Sequence, residues 1–166
     1  MSLGIIIIGI GTFFAFKTLI APEDTEKTEA ASSEKSAEGE AAAEPGKEKV
    51  EGLQYAITVP SSAPEKELLS MMHSMTHQKV IASDKWGIIE MNAESIEKAY
   101  SIVSASDFPS KSALLNILES WQRGDFSRAD EDHNYIWTLQ GGSVGKATGL
   151  MTPEQEQQFI ETNFRN

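Results

Sequence analysis

The sequence predicts a mainly α protein in three parts: an N-terminal transmembrane helix, a disordered acidic linker and a small bundle of about five short helices with minor extended pieces. Three observations predict it. Residues 3–21 form an apolar run broken by one charge, residues 22–52 are charged and free of aromatic side chains, and from residue 53 onward apolar side chains recur three and four apart between Gly, Pro and capping residues.

The apolar run, LGIIIIGIGTFFAFKTLIA, carries only Lys17. At about 1.5 Å of helical rise per residue it approaches the thickness of a bilayer's hydrocarbon. A cleaved signal peptide and a buried strand are the alternatives. The residues before Ala21 lack the small pair that a signal peptidase wants, and Phe13, Phe14 and Phe16 are bulky there. The expected placement is a single-pass cell-membrane protein, N-terminus inside, with the C-terminal domain extracytoplasmic. Positive charge gives little help with orientation, because no Lys or Arg precedes the run. That missing flank suggests a start codon upstream of Met1.

Residues 22–52 hold ten Asp or Glu and four Lys among many Ala and Ser, so they cannot bury enough apolar surface to offset chain entropy. Thirty-one flexible residues would span about 30 Å end to end. The folded unit is then expected over residues 53–166. It begins with an extended lead-in in which Leu53, Tyr55, Ile57 and Val59 alternate with polar or small residues.

The first helix is expected from a cap at Ser61 or Ser62, through Pro64, to about Val80 or Ile81. Leu68, Met71, Met72 and Met75 line its apolar face. Asn92 caps a second, with Ile96, Ala99, Tyr100 and Val103 on one face, ending near Asp107. Asp107 and Pro109 open a third, whose stripe of Leu114, Leu115, Ile117, Leu118 and Trp121 stops at Gly124. Asp125 or Ser127 caps a fourth, on which Phe126, Ala129, His133, Ile136 and Trp137 share a face up to Gly141 and Gly142. Thr152, Pro153 and Gln155 form a capping box for a fifth, which carries Phe159, Ile160 and Phe164.

Composition excludes several function classes. A net charge of −11, from 14 Lys+Arg against 25 Asp+Glu, lacks the cationic field that phosphate backbones demand, so no nucleic acid is expected as a partner. Cysteine is absent, which removes disulfides, thiolate metal ligands and a cysteine nucleophile. There is no nucleophile elbow and no Ser-x-x-Lys pair, so no enzyme class is supported.

One constellation can carry chemistry. His73 and His77 are four apart, which on a helix sets their Cβ atoms about 5–6 Å from each other on one side, a spacing that can grip a transition-metal ion. His133 is the candidate third ligand, with Asp130, Glu131 or Asp132 beside it, and Met72 or Met75 would be soft donors suited to reduced copper. The competing explanation is ordinary: core methionines and buried, hydrogen-bonded histidines. A metalloprotease zinc is disfavoured, since HSMTH lacks a glutamate after the first histidine.

The run GGSVGKATG, residues 141–149, has the outline of a phosphate loop but fails it. Gln140 stands in place of the first glycine, Ala147 follows Lys146, and a helix precedes the run. No nucleotide is expected. The glycines are read as a tight connection between the fourth and fifth helices, or as a place where a partner's backbone approaches. Together with the three tryptophans this gives the leading functional reading, a module that binds a protein or envelope partner through His77, Lys79, Trp86, Gly142, Gly145 and Lys146, with metal binding through His73, His77 and His133 as the alternative.

The segments MHSMTHQKV, KWG, WQRGDF, HNYIW and GGSVGKATG, within Met71 to Phe164, resemble a family of small uncharacterised proteins from Bacillus-type Gram-positive bacteria. The resemblance implies an N-terminal membrane segment and a domain of unknown function. It implies no activity and no cofactor.

Overall fold

The computed structural model describes residues 44–52 and 59–165. They contain five helices and a two-stranded sheet, in the order α1 (Glu65–Thr76), β1 (Val80–Ala82), α2 (Ala93–Ala105), α3 (Lys111–Gln122), α4 (Ala129–Leu139), β2 (Ala147–Leu150) and α5 (Pro153–Phe164). The expected membrane segment, most of the linker and the lead-in from Leu53 to Thr58 lie outside the described residues. Among those described, no helix is long and apolar enough to cross a membrane.

Helix α1 starts at Pro64 rather than at a serine cap. Pro60 to Ala63 form a turn closed by Ala63 N–H on the Pro60 carbonyl, which carries Ser61 and Ser62 away from the helix end. Glu65 and Glu67 meet the positive end of its dipole. Glu65 also accepts from the backbone and hydroxyl of Ser110, which ties the start of α1 to the start of α3.

The helix is shorter than the apolar period suggests. It ends at Thr76, and Val80 and Ile81 enter a strand instead, paired antiparallel as Val80↔Leu150 and Ile81↔Gly149, with a bulge before Ala82↔Ala147. β-Branched side chains lose little rotamer freedom in a strand, and the ladder to residues 147–150 satisfies backbone groups that a longer helix would have used. Part of the glycine-rich run is therefore a strand, not only a connection.

Two caps behave as their residues dictate. Asn92 and Ser95 form a reciprocal capping box on α2, and Thr152 and Gln155 form one on α5 with Pro153 at the first position. The fourth helix departs from expectation, with Arg128 at its N-cap and no side-chain cap. Asp125 is occupied in a local turn, accepting from Ser127 N–H and Oγ–H, so neither residue reaches the helix.

The main core lies among α1 to α4. Leu68, Met72 and Met75 of α1 pack with Ile96, Ile102 and Val103 of α2, Leu114, Leu118 and Trp121 of α3, and Ile136 of α4. Removing a side chain as large and as buried as Trp121 would cost about 3–5 kcal/mol. Its indole N–H is satisfied by Asp132 Oδ2 at 2.9 Å. A smaller cluster of Ile88, Met151 and Phe159 seats α5.

Candidate metal centre

Helices α1 and α4 pack against each other, and that packing brings His133 to the pair on α1. Ring centroids lie 4.8 Å apart for His73 and His77, 4.5 Å for His73 and His133, and 5.7 Å for His77 and His133. One ring nitrogen from each of the three lies within 4.8 Å of those of the other two. His73 is partly buried, His77 is 2 % exposed and His133 is 0 % exposed.

Each ring is oriented through Nδ1. His77 Nδ1–H donates to the Gly87 carbonyl at 2.7 Å and His133 Nδ1–H to Asn134 Oδ1 at 3.2 Å, while His73 Nδ1 lies 2.6 Å from Gln140 Oε1. The Gly87 carbonyl can only accept. Asn134 is held in one orientation by Ala147, whose N–H donates to Oδ1 while its carbonyl accepts from Nδ2. Gln140 donates from Nε2 to Ser70 Oγ. Neutral His77 and His133 therefore keep Nε2 as a lone pair, and His73 does so when its proton is on Nδ1.

Burial favours those neutral forms. His77 is held well below the ordinary histidine range, first by burial and then by the positive charge that His73 would carry, with the Gly87 carbonyl offsetting part of it. Burial lowers His133 to about 4, reinforced by His73, and lowers His73 against the opposing pull of Gln140. Yet Nε2 of His73 and Nε2 of His133 lie 2.9 Å apart. Two lone pairs at that distance repel unless a proton or a cation lies between them.

The proton solution requires the Gln140 amide to turn over. Its NH₂ would then donate to His73 Nδ1, and His73 Nε2–H would donate to His133. The cation solution leaves every Nδ1 bond as described. In a tetrahedral zinc site, ligands about 2.0–2.1 Å from the ion stand about 3.4 Å from each other. The observed nitrogen separations run from 2.9 Å up to 4.8 Å, so the near pair must open and the widest must close to about 4.2 Å or less for the three to share one ion.

Met72 and Met75, offered as soft donors, lie in the hydrophobic core among residues of α2, α3 and α4. The carboxylates beside His133 do not join the group: Asp132 is committed to Trp121, and Glu131 pairs with Arg128 on the surface.

The residues read as an interaction surface are scattered. Trp86 is 73 % exposed and Lys146 is exposed. Lys79 is paired with Glu156 at 2.5 Å and lies over the Phe126 ring. His77 is interior, and Gly142 backs onto the indole of Trp137. Gly145, at φ +80°, sits against the Asp84 carbonyl, where any side chain would collide.

A cleft of about 170 Å³ opens beside the histidines, lined by Ser70, His73, Ser74, His77, Trp86 and Gln140, with Asp84, Val144 and Gly145 completing its wall. Sequence reasoning missed the oxygen acceptors on Gly87, Asn134 and Gln140. Only Asn134, next to His133, offered any signal.

A family profile described as a family of unknown function, DUF6241, matches residues 72–161. That span contains all three histidines and all three of their oxygen partners. It agrees with the resemblance over Met71 to Phe164 as far as an uncharacterised domain; the bacterial source and the membrane segment lie outside what it covers. No curated protein and no solved structure matches the chain.

Proposed function

Because the chain belongs to the DUF6241 family, whose function is unknown, we propose a function from the site alone: the domain binds one divalent transition-metal ion of the zinc class through Nε2 of His73, His77 and His133. What supports this is the convergence of one ring nitrogen from each histidine in rings whose Nδ1 atoms each meet an oxygen. Carbonyl and carboxamide partners of this kind fix the tautomer and raise ligand basicity in metal sites. Three imidazoles suit zinc, and equally nickel, copper(II) or cobalt(II), better than calcium or magnesium.

The test is metal stoichiometry. The full chain, stripped with chelator and titrated with Zn²⁺ by calorimetry, takes up one equivalent with a dissociation constant in the micromolar range or below. Heats no larger than those of a variant lacking all three histidines overturn the reading.

A second reading, an envelope or protein-binding module, has one observation behind it: Trp86 and Val144, 73 % and 66 % exposed, stand together on the wall of the cleft. In both readings residues 3–21 anchor the chain in the cell membrane and the acidic stretch after them presents the domain outside it. This placement rests on the apolar run. Protease added to wall-stripped intact cells then cleaves the residues after the anchor, and protection until lysis contradicts it.

A further inference from the structure

We infer that the metal proposed above is held in an open site, with one coordination position that takes a small anion through the cleft beside His73 and His77. The inference rests on the metal reading and adds what the ion would do there. Structural zinc sites are closed by four protein ligands, whereas sites that exchange ligands or do chemistry keep three, with water in the fourth position. Among the histidines and carboxylates of the described residues, the convergent group stops at three. Asp84 is the carboxylate on the cleft wall, and it does not belong to the group of ligand atoms that lie together.

The side from which a fourth ligand arrives follows from the lining. His73 and His77 border the cleft, while His133 is fully buried behind them. An ion held by all three lies behind two rings that line the cleft, and the cleft is an opening from the surface to those rings. The approach is built from two loops, residues 83–87 and residues 140–146, held together where Gly145 meets the Asp84 carbonyl. Trp86 and Val144 stand exposed on it.

Charge selects the ligand class. Three neutral imidazoles leave a divalent ion its full double charge, with no protein anion among the ligands to offset it. Lys85, the nearest buried cation by sequence, is itself neutralised by Glu48 at 2.6 Å. A monoanion with an oxygen or nitrogen donor is thus favoured. The cleft's 170 Å³ suits one the size of azide, bicarbonate or a short carboxylate rather than a nucleotide or a peptide.

Cobalt(II) makes the position visible. The full chain loaded with one equivalent of Co²⁺ is expected to show the intense visible bands of a four-coordinate ion, and titration with azide or acetate to shift them along a single-site saturation curve. Val144→Trp, at an exposed position, narrows the cleft and is expected to weaken azide five- to tenfold while leaving Co²⁺ affinity unchanged. Bands that appear with Co²⁺ but ignore both anions overturn the open position and leave the metal reading standing. Azide affinity equal in both proteins overturns the cleft as the route. A chain that takes up no Co²⁺ overturns the metal reading, and this inference with it.

Discussion

Two groups of buried polar side chains lie within a few residues of each other, and they are built on opposite principles. Lys85, its side chain 3 % exposed, meets Glu48 at 2.6 Å and lies over the Phe159 ring. Burial lowers its proton affinity and Glu48 restores part of it. Charge and counter-charge close on each other, although the Lys85 charge still helps to lower the proton affinities of His77 and His133. In the histidine triad each Nδ1 meets an oxygen, and Nε2 of His73 faces Nε2 of His133 at 2.9 Å with no acid in the group. A buried pair that neutralises itself is architecture. A buried pair of ring nitrogens with no acid beside it is bridged either by a proton or by a cation.

The largest expected effect separates the two directly. His133→Ala should weaken Zn²⁺ about a thousandfold, roughly 4 kcal/mol, measured by competition with a chromophoric chelator. Glu48→Gln should leave that affinity within about tenfold. Equal losses in the two variants would erase the distinction between site and scaffold.

Acid should strain the triad and spare the ion pair over the same range. The histidines' proton affinities are lower in the folded protein than in the unfolded chain, so the unfolded chain takes up protons first. Above about pH 6.5 they add no pH dependence. As pH falls toward about 4, where His133 itself protonates, stability declines. For His133 alone the loss is on the order of 2–3 kcal/mol. Urea midpoints of the metal-free chain between pH 7 and pH 4 measure it, and His133→Phe should flatten the slope.

Glu48→Gln should cost about 1–3 kcal/mol of stability at neutral pH, because it leaves Lys85 buried against a neutral partner. The same loss in a Lys85→Met, Glu48→Gln double variant would mean that the cost was packing, not charge. The smallest effect belongs to Gln140→Leu. It removes an orienting oxygen rather than a ligand and should weaken Zn²⁺ about tenfold, with the fold unchanged by circular dichroism.

How much of this was legible in the sequence depended on whether a residue's partner was local. The capping boxes at Asn92 and Thr152 could be read because both halves lie within one turn. Arg128 could not be read as an N-cap, because the better capping residues, Asp125 and Ser127, bond each other. The four-residue spacing of His73 and His77 marked two of the three rings. His133 read equally well as a core histidine, since only the packing of α4 on α1 decides what it faces. The oxygen partners were harder still, for a backbone carbonyl at Gly87 or an amide at Gln140 carries no sequence signature of what it accepts from. The sheet was missed because strands of three and four residues, one of them containing glycine, give too short a period to compete with a helical pattern running into Val80.

The central claim is that the three rings act together on one ion through Nε2. Ring-nitrogen magnetic resonance of ¹⁵N-histidine-labelled full chain tests it most directly, following all six nitrogens as Zn²⁺ is added. The prediction is that all three rings hold their proton on Nδ1 and shift at Nε2 together, with saturation at one equivalent. If only one or two rings respond, or if His73 keeps its proton on Nε2 against His133 while zinc is in excess, the triad is a hydrogen-bonded strut and the account is wrong.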